Sequence, residues 1–371
     1  MSGAPLNIAL IGSGFMGRAH ALAFAAADRI FDLPRSPRVT ILADRDLETA
    51  TAAAASLGIP RASGDWREAI AGADIDMVAI ATPNALHAAI AIAALAAGKA
   101  VYCEKPLATT LAESEAMTAA AAASGRPTAV GFTYLYNPMI VLARELIAGG
   151  EIGEVTAFRG IHAEDFMASA DAPFNWRCEP DQAGGALADI GSHIIAMAQH
   201  LVGDIASVSG RLHTAYPTRR DAGGQARAVT VDDQMDAVVD FSGGATGSLS
   251  ASWIASGRKM GLAFEVSGTR GSIVFTQECF NELKLYRSGS GRTNGFTTIC
   301  AGPEHGDYGA FCPASGHQIG YNDLKTIEAK AAVEAAAGLP SAAKSFADAL
   351  AVERVADAIR RSHREGGWVR P

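Results

Sequence analysis

Leu6-Asn7-Ile8-Ala9-Leu10-Ile11-Gly12-Ser13-Gly14-Phe15-Met16-Gly17 decides the fold. The run from Leu6 to Ile11 reads as a buried strand. Three glycines at G-x-G-x-x-G spacing follow it directly, and Phe15 and Met16 open an alanine-rich helix. In a chain with 39 glycines this spacing alone says little; strand before, helix after and an acid ending the next strand are the context that gives it meaning. Gly12 permits the tight turn, Gly14 the close approach of a pyrophosphate, and Gly17 the helix–strand contact. The helix N-terminus, at Phe15 and Met16, supplies N–H donors for an anionic bridge. The expectation is a bound dinucleotide.

Working outward, Asp44 ends the second strand, 39–44. A carboxylate there accepts hydrogen bonds from an adenosine ribose and repels a 2′-phosphate, which favours NAD over NADP. The 27 residues from Gly17 to Asp44 exceed the usual spacing, and Arg45 beside the acid could partner a phosphate. Further strands are expected at 76–81, 100–102 and 128–131, and helices at 15–26, 46–57, 86–97 and 111–124. Thr110 and Glu113 have the spacing of a capping box for the last of these helices. Strands alternating with helices in this way predict an α/β Rossmann domain, a doubly wound parallel sheet covered on both faces.

The texture changes after Phe132. Helices are expected at 138–148 and 190–201, with strands at 155–162, 208–213, 234–241, 247–253, 262–268, 271–275 and 283–286. A loop spans 288–321, and helices at 322–337 and 341–361 follow. This pattern predicts an α+β domain with a large, mainly antiparallel sheet, one face on helices and the other open. No internal repeat or flexible linker is evident. The domains are expected at 1–132, for NAD, and 133–371, for substrate binding and oligomerisation, with the last helix able to pack back on the first domain.

Lys and Arg number 31 against 39 Asp and Glu, a net charge of −8. That balance disfavours phosphate-backbone binding, so no nucleic-acid partner is expected. The longest stretch without a charged residue, 77–98, is broken by Pro83, Asn84 and His87, and reads as strand, turn and helix, with no membrane role. Five scattered cysteines without a C-x-x-C suggest neither a disulfide framework nor a zinc ribbon. The expectation is a soluble, reduced, cytoplasmic protein.

Glu104-Lys105-Pro106 stands at the C-terminal end of the strand 100–102, the sheet edge at which ligands bind in doubly wound folds. By itself a lysine before proline is commonplace. Asp189-Ile190-Gly191-Ser192-His193 is the second signal. If it opens a helix, its first and last residues share one face and can handle a proton, with a lysine completing an acid–base cluster. Two lesser alternatives are that Asp189 is only an N-cap, or that the pair ligates a metal, although no further ligands of matching type lie nearby in sequence.

These segments, with Thr82-Pro83-Asn84, His87 and Trp176-Arg177 in the same order, resemble the Gfo/Idh/MocA oxidoreductases over essentially the whole chain. Glu164-Asp165-Phe166-Met167, Phe174-Asn175-Trp176-Arg177, Phe311-Cys312-Pro313 and Gly316-His317 are similar to segments of its inositol and sugar dehydrogenases. The resemblance implies that Lys105 contacts a reacting hydroxyl, that His193 exchanges its proton and that Asp189 orients the group. It also implies a cis bond before Pro106. Thr82, Asn84, His87 and Glu104 would line the cofactor, the second and last of them on the nicotinamide side. Trp176 and Arg177 would close over it, and Asp165 and His317 would read sugar hydroxyls. His317 also reads as an ordinary loop histidine.

The implied activity is NAD-dependent oxidation of a ring secondary alcohol to a ketone. The implied substrates are scyllo- or myo-inositol, L-glucose or an anhydrosugar, and the implied assembly is a homodimer or homotetramer. Either the Lys105 amine or His193 could accept the proton. An NADP(H)-dependent keto-sugar reductase and a non-catalytic dinucleotide-binding regulator are the alternatives on the same fold.

Overall fold

Strand β1 (Leu6–Ile11) sits inside a parallel six-stranded sheet with β2 (Pro37–Ala43), β3 (Ala62–Ser63), β4 (Met77–Ile80), β5 (Ala100–Cys103) and β6 (Thr128–Val130), in the order β3-β2-β1-β4-β5-β6. This is the doubly wound order in which a dinucleotide crosses the switch point between β1 and β4. The computed structural model describes residues 4–182, 184–289 and 291–371. They divide into two compact units, Met1–Tyr136 with Ile319–Leu350, and Asn137–Gln318 with Ala351–Pro371. A single boundary after residue 132, as expected from the sequence, differs from this division because 319–350 returns to the first unit.

Alanine explains why Ile319–Leu350 belongs with the first unit. Ala329, Ala332 and Val333, on the late helix Tyr321–Ala336, share a core with Phe24 and Ala27 of the helix Phe15–Ile30 and with Leu6, Ile8 and Leu10 of β1. Side chains this small let helix backbones approach closely, and alanine loses no side-chain entropy in doing so. The strand β3 and the helix Trp66–Ala71 were not expected. Two and six residues are too short to establish a period.

The second unit holds an eight-stranded sheet. Its strands, with a two-stranded hairpin between, are β7 (Val155–Ala163), β8 (Ile205–His213), β9 (Thr218–Arg220), β10 (Ala226–Ala228), β11 (Gln234–Phe241), β12 (Thr246–Ser252), β13 (Gly261–Gly268), β14 (Gly271–Thr276), β15 (Glu282–Arg287) and β16 (Thr297–Cys300). The order is β16-β15-β14-β13-β7-β12-β11-β8, and every pairing is antiparallel except β7 with β12. β11 shows the alternation: Met235, Ala237, Val239 and Phe241 are buried, while Asp236 and Val238 face outward. Inward residues meet the helix Ser192–Leu201, where Ile194, Ile195 and Met197 are buried. The hairpin β9–β10 lies in a stretch given no element and strand β16 within the loop expected at 288–321, because their short, polar runs carry no apolar alternation. Among the described residues the five cysteines form no disulfide, and no helix is long and apolar enough to cross a membrane.

The capping box forms: Thr110 Oγ1 accepts from Glu113 N at 3.2 Å and Glu113 Oε2 accepts from Thr110 N at 3.1 Å. Thr110→Ala is expected to cost about 1 kcal/mol, read as a lower urea midpoint with an unchanged slope.

Candidate active site

The fingerprint turn is built by main-chain contact. Gly12 has φ +100°, and a Cβ there would lie 2.5 Å from Ala81 O. A Cβ at Gly17 would collide with Gly12 O. Only glycine fits these two positions. Gly14 faces open space, and no side chain caps the helix that begins at Phe15, so the donors of its first turn are presented to whatever lies there. Phe15 stacks on Tyr321 with ring centroids 6.1 Å apart, and Met16 Sδ takes the Tyr321 hydroxyl at 3.4 Å. Burial raises the Tyr321 hydroxyl to about 12.

Asp44 closes the other side. Its Oδ2 accepts from both N and Oγ of Ser13, the former at 2.8 Å, and its Oδ1 from Arg45 N at 2.7 Å. The exposed Arg45 side chain turns to Asp46 at 3.2 Å. Thr82 Oγ1, just past β4, is buried without a protein partner. An open helix N-terminus, an acid at the end of β2 and an orphaned hydroxyl at the switch point fit a dinucleotide with an unmodified ribose.

Asn84 is buried in the short helical turn Asn84–Leu86. His87 places Nδ1 3.0 Å from Pro106 O and Nε2 3.1 Å from Thr82 O. Burial pushes its imidazolium below the usual range, against the opposing pull of both carbonyls and of Glu104. The neutral ring has one N–H, so it donates to one of the two carbonyls, and His87 lies buried between the Thr82 turn and the Lys105-Pro106 turn.

Glu104, expected on the nicotinamide side, instead turns its carboxylate into the unit. Its Oε1 meets Lys325 Nζ at 2.7 Å and His20 Nε2 at 2.9 Å, and its Oε2 lies 3.2 Å from Lys105 N. Lys325 also pairs with Glu328 Oε2 at 2.8 Å, which accepts from Thr133 Oγ1 at 2.8 Å. All of these ionisable groups are buried. Burial opposes charge on Glu104, but Lys325 and His20 outweigh it and hold the carboxyl well below its ordinary range. Burial likewise opposes the Lys325 ammonium, and Glu104 and Glu328 raise it above the usual lysine range. Gly131 makes the space, since a Cβ there would lie 2.7 Å from Glu104 Oε2. The result fixes the main chain at Lys105, whose half-buried side chain follows β5 and whose bond to Pro106 is cis.

In the second unit, Asp189 lies in a π-helical turn, Leu187–Gly191, that runs into the helix Ser192–Leu201 carrying His193. π-Helical turns inside α-helices recur at functional sites. Both side chains are buried. Arg177 Nε donates to Asp189 Oδ2 at 2.9 Å. The same guanidinium lies 4.3 Å over the Trp176 ring and 5.4 Å from that of Phe166, both exposed. Arg177, expected to close over a cofactor, therefore holds Asp189 from an aromatic bracket. His162 was not anticipated. Its ring centroid is 5.5 Å from that of His193, and its nitrogens lie 3.0 Å from Ile190 O and 3.2 Å from Glu164 Oε1.

The two residues expected to read sugar hydroxyls are engaged locally. Asp165 is bound by Lys259 Nζ at 2.7 Å and Gly257 N at 3.0 Å, and these bonds lower its carboxyl. His317 is exposed, with Nδ1 3.1 Å from Ala314 O, and its carbonyl accepts from the Tyr308 hydroxyl. His20, Lys325 and Glu328 also went unseen in the sequence. A usable signal existed for two of them: Lys325 and Glu328 occupy the same stripe as Leu324, Ile327 and Ala331, and charge on an apolar stripe is buried only when paired.

Residues 6–132 match the family described as oxidoreductase, NAD-binding Rossmann fold, and residues 140–274 match the GFO/IDH/MocA C-terminal domain. Levoglucosan dehydrogenase of Pseudarthrobacter phenanthrenivorans is 40% identical over 98% of this chain and 97% of its own. A solved levoglucosan dehydrogenase in complex with NADH and levoglucosan superposes with a TM-score of 0.95 at 40% identity, covering 99% of each chain. An inositol dehydrogenase homologue complexed with NAD+ from Azotobacter vinelandii superposes at 0.84 and 25% identity, over 100% of this chain and 98% of its own. Fold, fingerprint turn and these matches together define an NAD-dependent oxidoreductase. The chain belongs to the Gfo/Idh/MocA family.

Lys325→Met leaves two buried carboxylates without their cation, and is expected to cost about 3–5 kcal/mol. Adding Glu104→Gln to that variant should recover part of the loss. Guanidinium unfolding of the three proteins checks both.

Proposed function

We propose that the protein oxidises a ring secondary alcohol of a sugar to a ketone, passing hydride to NAD, and that an anhydrosugar of the levoglucosan type is its substrate. The end-to-end likeness to levoglucosan dehydrogenase carries this reading. A cyclitol is the second reading, supported by the likeness to the inositol dehydrogenase homologue. A D-xylose 1-dehydrogenase of Haloferax volcanii that uses NADP+ is 32% identical over 57% of this chain and 61% of its own. Asp44 argues against that coenzyme here, because its carboxylate, ordered by Ser13, would face a 2′-phosphate.

NAD, when bound, supplies the hydride acceptor. The chain's own residues do the rest. The uncapped helix N-terminus at Phe15 and Met16 takes the pyrophosphate, Asp44 the ribose, and Thr82 Oγ1 and Asn84 supply polar contacts at the switch point. Lys105 holds the reacting oxygen and stabilises the alkoxide as charge develops there. His193 takes the proton, and Asp189, held by Arg177, orients the imidazole and stabilises its charged form. Trp176 and Phe166 offer apolar faces to a sugar ring. Ile161 and Val238, both more than a third exposed on the outer face of the large sheet, favour a homodimer or homotetramer built on that face. Five cysteines without a disulfide favour a cytoplasmic setting.

Lys105→Met and His193→Ala should each lower kcat about 10²–10⁴-fold while leaving NAD binding, read by fluorescence titration, close to wild type. Assay of NADH formation against levoglucosan, inositols and L- and D-hexoses decides the substrate; no turnover of any of them in a protein that binds NAD sinks the reading. Asp44→Ser should move the NAD-to-NADP preference by about tenfold, the worth of a charge-assisted hydrogen bond.

A further inference from the structure

The π-helical turn bearing Asp189 is started by a residue far from it in sequence. Asp232, just before β11, accepts from Ala186 N at 2.9 Å through its main-chain oxygen and from Leu187 N at 2.8 Å through Oδ2. These are the two donors at which the turn begins. Gly185, with φ +82°, lies against the same carboxylate: a Cβ there would collide with Asp232 Oδ1 and lie 2.8 Å from its main-chain nitrogen. Asp232 is buried, and its carboxylate has no role in the sheet it precedes. That role belongs to the adjacent Asp233, which binds Trp253 Nε1 at 2.7 Å, Ala215 N at 2.8 Å and Tyr216 N at 3.0 Å.

Register at the start of a helix sets where every later side chain points. A slip of one residue would rotate Asp189 by about 100° around the axis, taking it from Arg177. Two hydrogen bonds from one rigid residue, with no room for a side chain at Gly185, exclude that slip. We propose that Asp232 is a positioning residue that sets the register of the Leu187–Gly191 turn and so the aim of Asp189 and His193. The inference rests on the reading that those two handle the proton.

Burial pushes the Asp232 carboxyl up to about 7, with Leu187 N–H and Arg360 of the last helix pulling down and Asp233 pushing further up. The adjacent Asp233 is itself paired with Arg219 at 3.7 Å. The protonated carboxyl is a weaker acceptor for Leu187 N than the carboxylate, so the turn is held hardest above neutrality. Stability has the opposite slope. A carboxyl raised on folding retains its proton in the folded state while the unfolded chain has lost it, so stability falls as pH rises from about 4 to about 7.

The test compares Asp232→Ala and Asp232→Asn with wild type in the full chain, using the best substrate from the panel above. Asp232→Ala should lower kcat about 10–100-fold, the usual penalty for misplaced groups, with the NAD dissociation constant unchanged. Asp232→Asn retains an acceptor oxygen for Leu187 and should recover most of that loss. Its kcat/KM profile should lack an ionisation near neutrality that wild type shows, and its melting temperature should gain on wild type as pH rises. A folded Asp232→Ala with wild-type kcat overturns the proposal, and so does an Asp232→Asn kcat no higher than that of Asp232→Ala. Should Asp232→Ala not fold, Asp232→Ser, which keeps the main-chain acceptor and shortens the side-chain one, is read by the same kcat loss. His193→Ala at full activity would sink the site reading itself; an inactive His193→Ala beside a fully active Asp232→Ala would sink only this one.

Discussion

A carboxylate and an ammonium, 2.7 Å apart and both buried, hold the C-terminal end of β5 in the first unit. Each ion alone would cost several kcal/mol to remove from water. Together with Glu328 and His20 they form a cluster in which each charge has an opposite or a hydrogen-bonding neighbour. Such a cluster does little for net stability compared with a well-packed apolar core. What it adds is definition. Glu104 cannot turn outward without stranding Lys325, and with Glu104 held, the main chain of Lys105 is held too.

The partner cation arrives from a helix more than two hundred residues further along the chain. That helix reaches β1 and the first helix through alanines and Val333. Small side chains bring backbones close, and closeness delivers a lysine to a carboxylate with no room for water between. Alanine-rich composition and buried electrostatics are thus one design: the first makes the second possible.

The second unit uses different means for a similar end. Asp189 is held by Arg177, and Arg177 is held by the faces of Trp176 and Phe166. A guanidinium between aromatic rings is weakly hydrated and directionally restrained, so it can stay at a half-exposed position and still fix a carboxylate. His162, between Glu164 and the carbonyl of Ile190, supports the same helix from β7. Both units therefore place a candidate site residue, Lys105 or Asp189, at the start or end of a regular element and restrain it from residues distant in sequence.

Local chemistry made much of this legible beforehand. Gly12 is marked by its own positive φ and Gly17 by its contact with Gly12 five residues back, Asp44 by the strand it ends, Thr110 and Glu113 by the helix they cap, and the strands by their own alternation. Each of these depends on neighbours close in the chain, so the amino-acid order by itself determined the α/β unit, its fingerprint turn and the mainly antiparallel sheet that follows. Side chains with more than one possible partner are instead assigned by packing between distant segments. Glu104 pairs with Lys325, Arg177 with Asp189, and Asp165 with Lys259. Asp232 and Asp233, adjacent in the chain, serve different elements. A charged side chain goes where burial leaves it an opposite charge or a donor, and which groups are buried together is settled by packing between segments that no local pattern connects.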